Sequence, residues 1–328
     1  MMQGHDWQEE AARKQEIRRF FSAVGFSVLA LIVASRVAQF VLVLTTQLVC
    51  PQWIVQWWYS WVLSFVPLYG VGLPCFLLAI RYVPVTPRDD VESDAMPPFA
   101  IKWWWILLLI SFGYMYIGSF VGQGLLNVIA EMLDKEYTNA LDTLIEQSPV
   151  WATVLGTVIL APLGEEFLFR KVLIDRTRRY GDTVSILLSA TFFALFHVKL
   201  YQMFYAFLIG LVLGYLYTRT GKLRWSVAMH MALNAIGGLL MPQLVSLLLP
   251  AGAEPTGLQL TLVGLLDILI YGAAIASVVM TVKLRRRLVL RGSRVPLSRD
   301  GFVSAVLSAA GIAVTVAVCV SWIVQELI

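Results

Sequence analysis

Residues 162–171 read PLGEEFLFRK and follow an apolar stretch that begins near Val150. Two adjacent glutamates and an arginine are therefore attached to a segment otherwise rich in hydrocarbon side chains. The whole chain is similar in character, because 59% of its 328 residues are hydrophobic and 14% are charged, with a mean hydropathy of +0.75. Soluble domains are roughly 45–50% apolar and about 25% charged. The composition therefore predicts a polytopic membrane protein.

Apolar runs recur along the chain at lengths that suit a membrane. A helix needs about 20 apolar residues to cross a hydrocarbon core of about 30 Å. Such runs lie near 20–49, 53–80, 103–126, 150–170, 183–198, 201–217, 225–249, 257–282 and 302–324, of which the fifth and sixth are short. The predicted fold class is an all-α, polytopic transmembrane helix bundle with about 8–9 spans.

The same pattern divides the chain into four parts. Residues 1–19 form a polar leader, and residues 20–144 hold the N-terminal transmembrane helices with a polar loop at 82–100. Residues 145–250 form the helix core that includes PLGEEFLFRK, and residues 251–328 hold the C-terminal transmembrane helices.

The basic residues alternate with the spans. If the N-terminus is cytoplasmic, all but three of the 25 lysines and arginines fall on the cytoplasmic side, and the exceptions are Arg36, Lys135 and Lys199. Cytoplasmic loops are enriched in Lys and Arg, so we expect a cytoplasmic leader. The net charge of +4 then reflects topology. The basic loops would face anionic headgroups, so membrane lipid is an expected partner and nucleic acid is not.

This topology gives the two glutamates a depth. The fourth span runs from outside to inside, so Glu165 lies about 20 Å along the helix from Arg178. A carboxylate at such a depth usually faces a bundle interior or a water-filled cavity. Glu166 and Arg170 have the i,i+4 spacing of a helix ion pair, whereas Glu165 points about 100° away from Glu166. One glutamate can be structural while the other serves chemistry; alternatively, both only neutralise Arg170 and Lys171.

Two histidines lie in later apolar spans. An isolated histidine in a membrane is more often a hydrogen-bonding residue between helices than a catalyst. Here the depths agree, because His197, with Phe193 on the same face, and His230, with Asn234 one turn deeper, lie at depths similar to that of Glu165. We therefore expect these groups to converge in one inward-opening cavity. A base, a proton carrier and polar donors are what hydrolysis by water requires.

Three short motifs resemble those of a known family. Residues 165–170 match EExxxR, residues 193–197 match FxxxH and residues 230–234 match HxxxN. In this order, on separate spans, they resemble the CPBP intramembrane proteases, a group that includes type II CAAX prenyl endopeptidases and bacteriocin-processing or bacteriocin-immunity proteins. The resemblance covers about residues 145–250. It departs at Lys171, where many bacterial members have glycine.

The resemblance implies roles for these residues. Glu165 would activate water with His197 beside it, and His230 and Asn234 would hold the oxyanion of the tetrahedral intermediate. The substrate-binding or structural positions would be Glu166, Arg170 and Phe193.

The cofactor is left open between none and zinc. His197, His230 and Glu165 could in principle bind zinc with one open position, as a metalloprotease would. Asparagine is a poor zinc ligand, and water activated by glutamate needs no metal.

The function expected is that of an intramembrane endopeptidase, which hydrolyses a peptide bond of a membrane-associated peptide or protein within or near the inner leaflet. The expected location is the cell membrane, as a multi-pass protein of a bacterial plasma membrane. One alternative is a non-catalytic bacteriocin-immunity or scaffold protein of the same fold. A proton-coupled transporter that uses Glu165 and the histidines as a relay is another. Arg36 and Asp267 have no companion motif, and each could belong to a buried pair or line a cavity.

Overall fold

The computed structural model describes residues 2–86, 99–137, 144–145, 147–250, 252, 254–293, 295 and 298–328, with side chains from residue 8 onwards. Most of the predicted polar loop at 82–100 therefore lies outside the described residues, as does the side chain of His5. Within the described ranges every regular element is a helix, which confirms the all-α prediction.

Ten helices are named in chain order. They are α1 (Met2–Val49), α2 (Trp57–Ile80), α3 (Ile101–Leu133), α4 (Val150–Tyr180), α5 (Asp182–Phe196), α6 (Leu200–Thr220), α7 (Leu223–Leu248), α8 (Gly257–Arg287), α9 (Arg299–Leu307) and α10 (Ala310–Leu327). In the described part of the chain, eight helices are long and apolar enough to cross a membrane, and α5 is a shorter apolar helix. The protein is a multi-pass membrane protein.

The fourth apolar run, at 150–170, is part of a longer helix. Helix α4 continues through Tyr180 and does not end near residue 170. Arg170 is completely buried within this helix. Its neighbour Lys171 is exposed and pairs with Asp175 at 2.6 Å. Continuation of the helix is favoured because Arg170 finds an acidic partner one turn earlier within the same helix.

The last predicted span, at 302–324, is two helices and not one. The chain breaks at Ser308 and Ala309, where Ala309 has an extended backbone with ψ 108°. Ala309 is fully buried in a cluster with Phe21 of α1 and Tyr180 of α4. After the break, the backbone of Gly311 lies so close to α1 that a Cβ there would be 1.9 Å from the carbonyl oxygen of Ser22. The close packing of Ala309 and Gly311 against α1 therefore fixes the break between α9 and α10.

Helix α4 is packed on both sides. On one side, Gly156 and Gly164 face Trp61 and Tyr69 of α2, and a Cβ on either glycine would lie about 2 Å from those rings. On the other side, α4 joins α5 and α6 in the largest hydrophobic cluster, which includes Phe169 and other buried residues, namely Leu168, Leu173, Phe192 and Ala206. The helix that carries the two glutamates is thereby held in the centre of the bundle.

Two stretches of α4 are π-helical, with the wider i→i+5 hydrogen-bond register. They are Val154–Leu160 and Phe167–Ile174, and they flank the Glu165–Glu166 pair. π-helical turns within α-helices are frequent at functional sites. A change of register rotates the following side chains about the helix axis, so the side chains on either side of the glutamates take directions that an ideal α-helix would not give.

Candidate active site

The centre of the site is a buried ion pair within α4. Glu166 Oε2 lies 3.2 Å from Arg170 Nε, and both side chains are 0% exposed. The predicted i,i+4 pair is therefore confirmed. A buried charge is tolerated only when an opposite charge and hydrogen bonds compensate for its lost hydration, so each residue stabilises the other in its charged form.

Helix α5 fixes the position of the arginine. Arg170 Nη1 donates to Ser189 Oγ at 3.1 Å, and Ser189 Oγ donates in turn to the carbonyl of Phe169 at 2.8 Å. The Arg170 guanidinium carbon lies 4.8 Å from the centroid of the Phe193 ring, a distance typical of a cation–π contact. The sequence analysis did not single out Ser189. Its spacing of four from Phe193 and eight from His197 could have indicated it, because such residues share a helix face.

His230 lies between the two glutamates. Its Nδ1 lies 3.0 Å from Oε1 of Glu166, and its Nε2 lies 3.7 Å from Oε2 of Glu165. An ionised carboxylate only accepts hydrogen bonds, so Nδ1 carries a proton and donates it to Glu166. This bond fixes the tautomer and the ring orientation, as carboxylates do for active-site histidines elsewhere. Nε2 is thereby directed towards Glu165.

His197 also contacts the Phe193 ring. The ring centroid of Phe193 is 5.0 Å from that of His197 and 5.6 Å from that of His230, both edge-on. Nδ1 of His197 contacts the carbonyl oxygen of Phe193 at 2.8 Å, and it must donate there because a carbonyl only accepts. Among the described residues, the histidine within 4 Å of Glu165 is His230 and not His197.

A strained residue ends α5 at this histidine. Val198 has φ +51°, a left-handed conformation that is rare for a β-branched side chain. It is buried in a cluster with Leu126, Leu200 and Ile323. This packing holds the chain in a tight turn, so α6 begins only two residues later and His197 is fixed at the end of its helix.

Asn234 is tied to α4 through a carbonyl group that a proline leaves free. Ala161 N donates to the carbonyl of Gly156 in the π register, so the next donor in that register would be residue 162. Residue 162 is proline, which has no N–H. The carbonyl of Thr157 instead accepts a hydrogen bond from Asn234 Nδ2 at 2.8 Å. An amide NH₂ has two donor hydrogens, so one remains for a ligand.

A cavity of about 820 Å³ contains the functional groups. Its walls include Glu165, His197, His230 and Asn234, together with Phe193, which contacts both histidines. Glu165 is 12% exposed and His230 is 6% exposed, whereas Glu166 is completely enclosed. The volume lies within the roughly 300–1,000 Å³ of ligand pockets in proteins. The cavity therefore presents one carboxylate to a ligand and keeps the other for support.

Comparison with known protein families identifies the same segment of the chain that carries the three motifs. Residues 147–236 match the family model of the type II CAAX prenyl endopeptidase Rce1-like proteins. The resemblance to the CPBP intramembrane proteases is confirmed over this segment. No curated protein and no solved structure matches the chain. At the level of the family, the match supports a CAAX-type intramembrane protease, which implies a peptide or protein substrate in a membrane environment.

The Rce1-like segment contains every residue of the three motifs, and helices outside it complete the cavity. Four polar side chains from these helices line the cavity, namely Arg36 and Gln39 of α1, Gln123 of α3 and Asp267 of α8. Arg36 and Asp267 therefore line the cavity and do not form an ion pair with each other. Their role as walls could not be read from sequence because no motif relates them to the Rce1-like segment.

The cavity lies towards the end of the bundle that is remote from the basic loops. Its walls come from the middle of the helices and from their ends remote from the basic loops, including Ile145 before α4 and Gln202 in the first turn of α6. Among the described residues, none of the wall residues lies at 176–179, 219–224 or 283–293, where basic residues concentrate. The prediction of an inward-opening cavity rested on the depth of the polar groups alone, whereas the helix packing decides at which end the bundle leaves space.

The zinc alternative, with His197, His230 and Glu165 as ligands, is not supported. A zinc site needs at least three protein ligands around one point. In the described part of the chain, no group of three or more His, Cys, Asp and Glu side chains is placed to hold a metal ion. Nδ1 of each histidine is already bonded within the protein. The metalloprotease interpretation is therefore withdrawn.

Proposed function

We propose that this protein is an intramembrane endopeptidase that hydrolyses a peptide bond of a membrane-associated peptide or protein. The observation that carries the proposal is the pairing of a cavity-facing Glu165 with a histidine whose ring is held by a fully buried ion pair. Glu165 Oε2 and His230 Nε2 are 3.7 Å apart, too far for a direct hydrogen bond. A water molecule that donates to Glu165 Oε2 and lies within hydrogen-bond reach of His230 Nε2 would be oriented for attack.

Glu165 would act as the general base. It takes a proton from the water, and the resulting hydroxide attacks the carbonyl carbon of the scissile bond. The tetrahedral intermediate then collapses, the C–N bond breaks, and the amine leaves with the proton that Glu165 received. The products are a carboxylate and an amine, with no co-reactant besides water.

Asn234 and the histidines would stabilise the developing oxyanion. The second Nδ2 hydrogen of Asn234 is free to donate once the first is bonded to Thr157. His230 would add an Nε2–H donor when that nitrogen carries a proton. Donors fixed by the protein before the reaction stabilise a transition state at little reorganisation cost. His197 lines the same cavity and provides a second imidazole.

Glu166, Arg170 and Phe193 would support the site and not react. Glu166 is enclosed and holds both Arg170 and His230. Phe193 contacts both imidazoles edge-on and packs against the Arg170 guanidinium. These contacts determine where His230 Nε2 points, so the group acts through positioning.

The test is peptide hydrolysis by the purified protein in liposomes. A library of apolar peptides and membrane-protein fragments is incubated with wild type, Glu165→Gln and, as a matched control, Glu254→Gln, whose side chain is exposed outside the cavity. We expect new peptide termini with wild type and Glu254→Gln, and none above background with Glu165→Gln. Identical termini from Glu165→Gln would refute the mechanism. Specific binding without cleavage by wild type would favour the immunity or scaffold alternative.

A further inference from the structure

The candidate active site lies at one end of the cavity. The distance along α4 from Arg176 to Glu165 is about 16 Å, and along α7 from Arg224 to His230 about 9 Å. From there the walls continue only towards the opposite ends of the helices, to Gln202 in the first turn of α6 and to Ile145 before α4. Glu165 and His230 thus form the floor, and the space extends away from the basic loops.

The walls beyond the floor are largely apolar but carry several polar and charged side chains. They carry the charged Arg36 and Asp267 and the amides of Gln39, Gln123 and Gln202. Arg36 Nη1 donates to Gln39 Oε1 at 3.4 Å, and within the described part of the chain no carboxylate lies within 4 Å of its guanidinium. A charge within a membrane-spanning helix is stable when it faces water or a partner. The wall composition therefore indicates a cavity that is continuous with water at this end.

We infer that substrates reach Glu165 and His230 from the membrane face opposite the basic loops. Because loops rich in Lys and Arg remain in the cytoplasm, that face is the non-cytoplasmic one. The substrate class is then a polypeptide whose scissile bond lies in the outer leaflet or on the outer surface, and not a cytoplasmic protein. The substrate class rests on the proposed function, whereas the direction of access is a property of the cavity.

Accessibility of single cysteines tests the direction without any need for turnover. In a background with Cys50→Ser and Cys75→Ser, Cys319 can remain because it is fully buried. The informative variants are Ala161→Cys, one turn above Glu165, and Gln202→Cys at the proposed mouth. The controls are Lys222→Cys in a basic loop and Glu254→Cys at the other end of the bundle, both exposed. A membrane-impermeant thiol reagent is added to right-side-out vesicles before or after permeabilisation.

We expect Ala161→Cys, Gln202→Cys and Glu254→Cys to react before permeabilisation, and Lys222→Cys only afterwards. Reaction of Ala161→Cys only after permeabilisation would refute the inference, because the floor would then be reached from the cytoplasm. No reaction at position 161 under either condition would also refute it. If Ala161→Cys fails to fold, Ser119→Cys on the cavity wall of α3 replaces it. Labelling of Ala161→Cys before permeabilisation, without peptidase activity of the wild type, would refute the proposed function alone. Peptidase activity together with labelling only after permeabilisation would refute this inference alone.

Discussion

His230 Nδ1 lies 3.0 Å from Glu166 Oε1, and this contact joins α7 to the buried ion pair of α4. The glutamate that carries out no chemistry in the proposed mechanism thus decides where the histidine points. The two adjacent glutamates are separated by function because they are separated by about 100° of helix rotation. Glu165 faces the cavity, and Glu166 faces the protein interior.

Replacement of the buried glutamate should lower stability. Glu166→Gln leaves Arg170 without its counter-charge in an enclosed site, and the loss of one member of a buried pair costs about 3–5 kcal/mol. We expect a lower melting temperature in detergent. The control is Glu9→Gln, which removes an exposed i,i+4 pair with Arg13 and should change the unfolding free energy by less than about 1 kcal/mol. Equal melting temperatures for the two variants would contradict the structural role of Glu166.

Replacement of the cavity-facing glutamate should affect activity more than stability. Glu165→Gln preserves volume but removes the general base, so kcat should fall by about 10²-fold or more. The melting temperature should stay near that of wild type, because Glu165 is not part of the enclosed Glu166–Arg170 pair. A nearly active Glu165→Gln, beside a well-folded but inactive Glu166→Gln, would show that the two roles are reversed.

Loss of the asparagine amide should lower the rate without loss of substrate binding. Asn234→Ala removes the proposed oxyanion donor, so kcat should fall by about 10²–10³-fold while KM changes little. The control is Asn127→Ala, an exposed amide that accepts from Gln123 and does not line the cavity. A rise in KM with unchanged kcat would instead assign Asn234 to ground-state binding.

The close approach of α2 to α4 should tolerate no added methyl group. In Gly164→Ala the new Cβ would lie 2.2 Å from the hydroxyl oxygen of Tyr69, so α2 or the ring must move. Because Glu165 is the next residue, we expect a lower melting temperature together with lower activity. Gly124→Ala is the matched control, since nothing lies within 4 Å of its Cβ, and alanine is the better helix former by about 1 kcal/mol. A destabilised Gly124→Ala with an unaffected Gly164→Ala would contradict the packing described.

The most local features of the site could be predicted from the sequence. The Glu166–Arg170 pair follows from i,i+4 spacing on one helix, and the shared face of Phe193 and His197 follows from the same rule. The order of the three motifs was sufficient to indicate the family. Pro162 and Thr157 were missed, because the hydrogen bond from Asn234 depends on a π register that no sequence pattern had indicated.

The sequence by itself determined the class of protein, the multi-pass helical fold and the segment that carries the motifs, because hydrophobic content and helical spacing are local quantities. Only the tertiary structure decided that His230 and not His197 lies within 4 Å of Glu165, that α9 and α10 are separate helices, and that the cavity extends away from the basic loops. Each of these depends on how one helix is rotated and shifted against another. That arrangement is set by close contacts such as Gly311 on Ser22 and Gly164 on Tyr69, which join residues far apart in the chain.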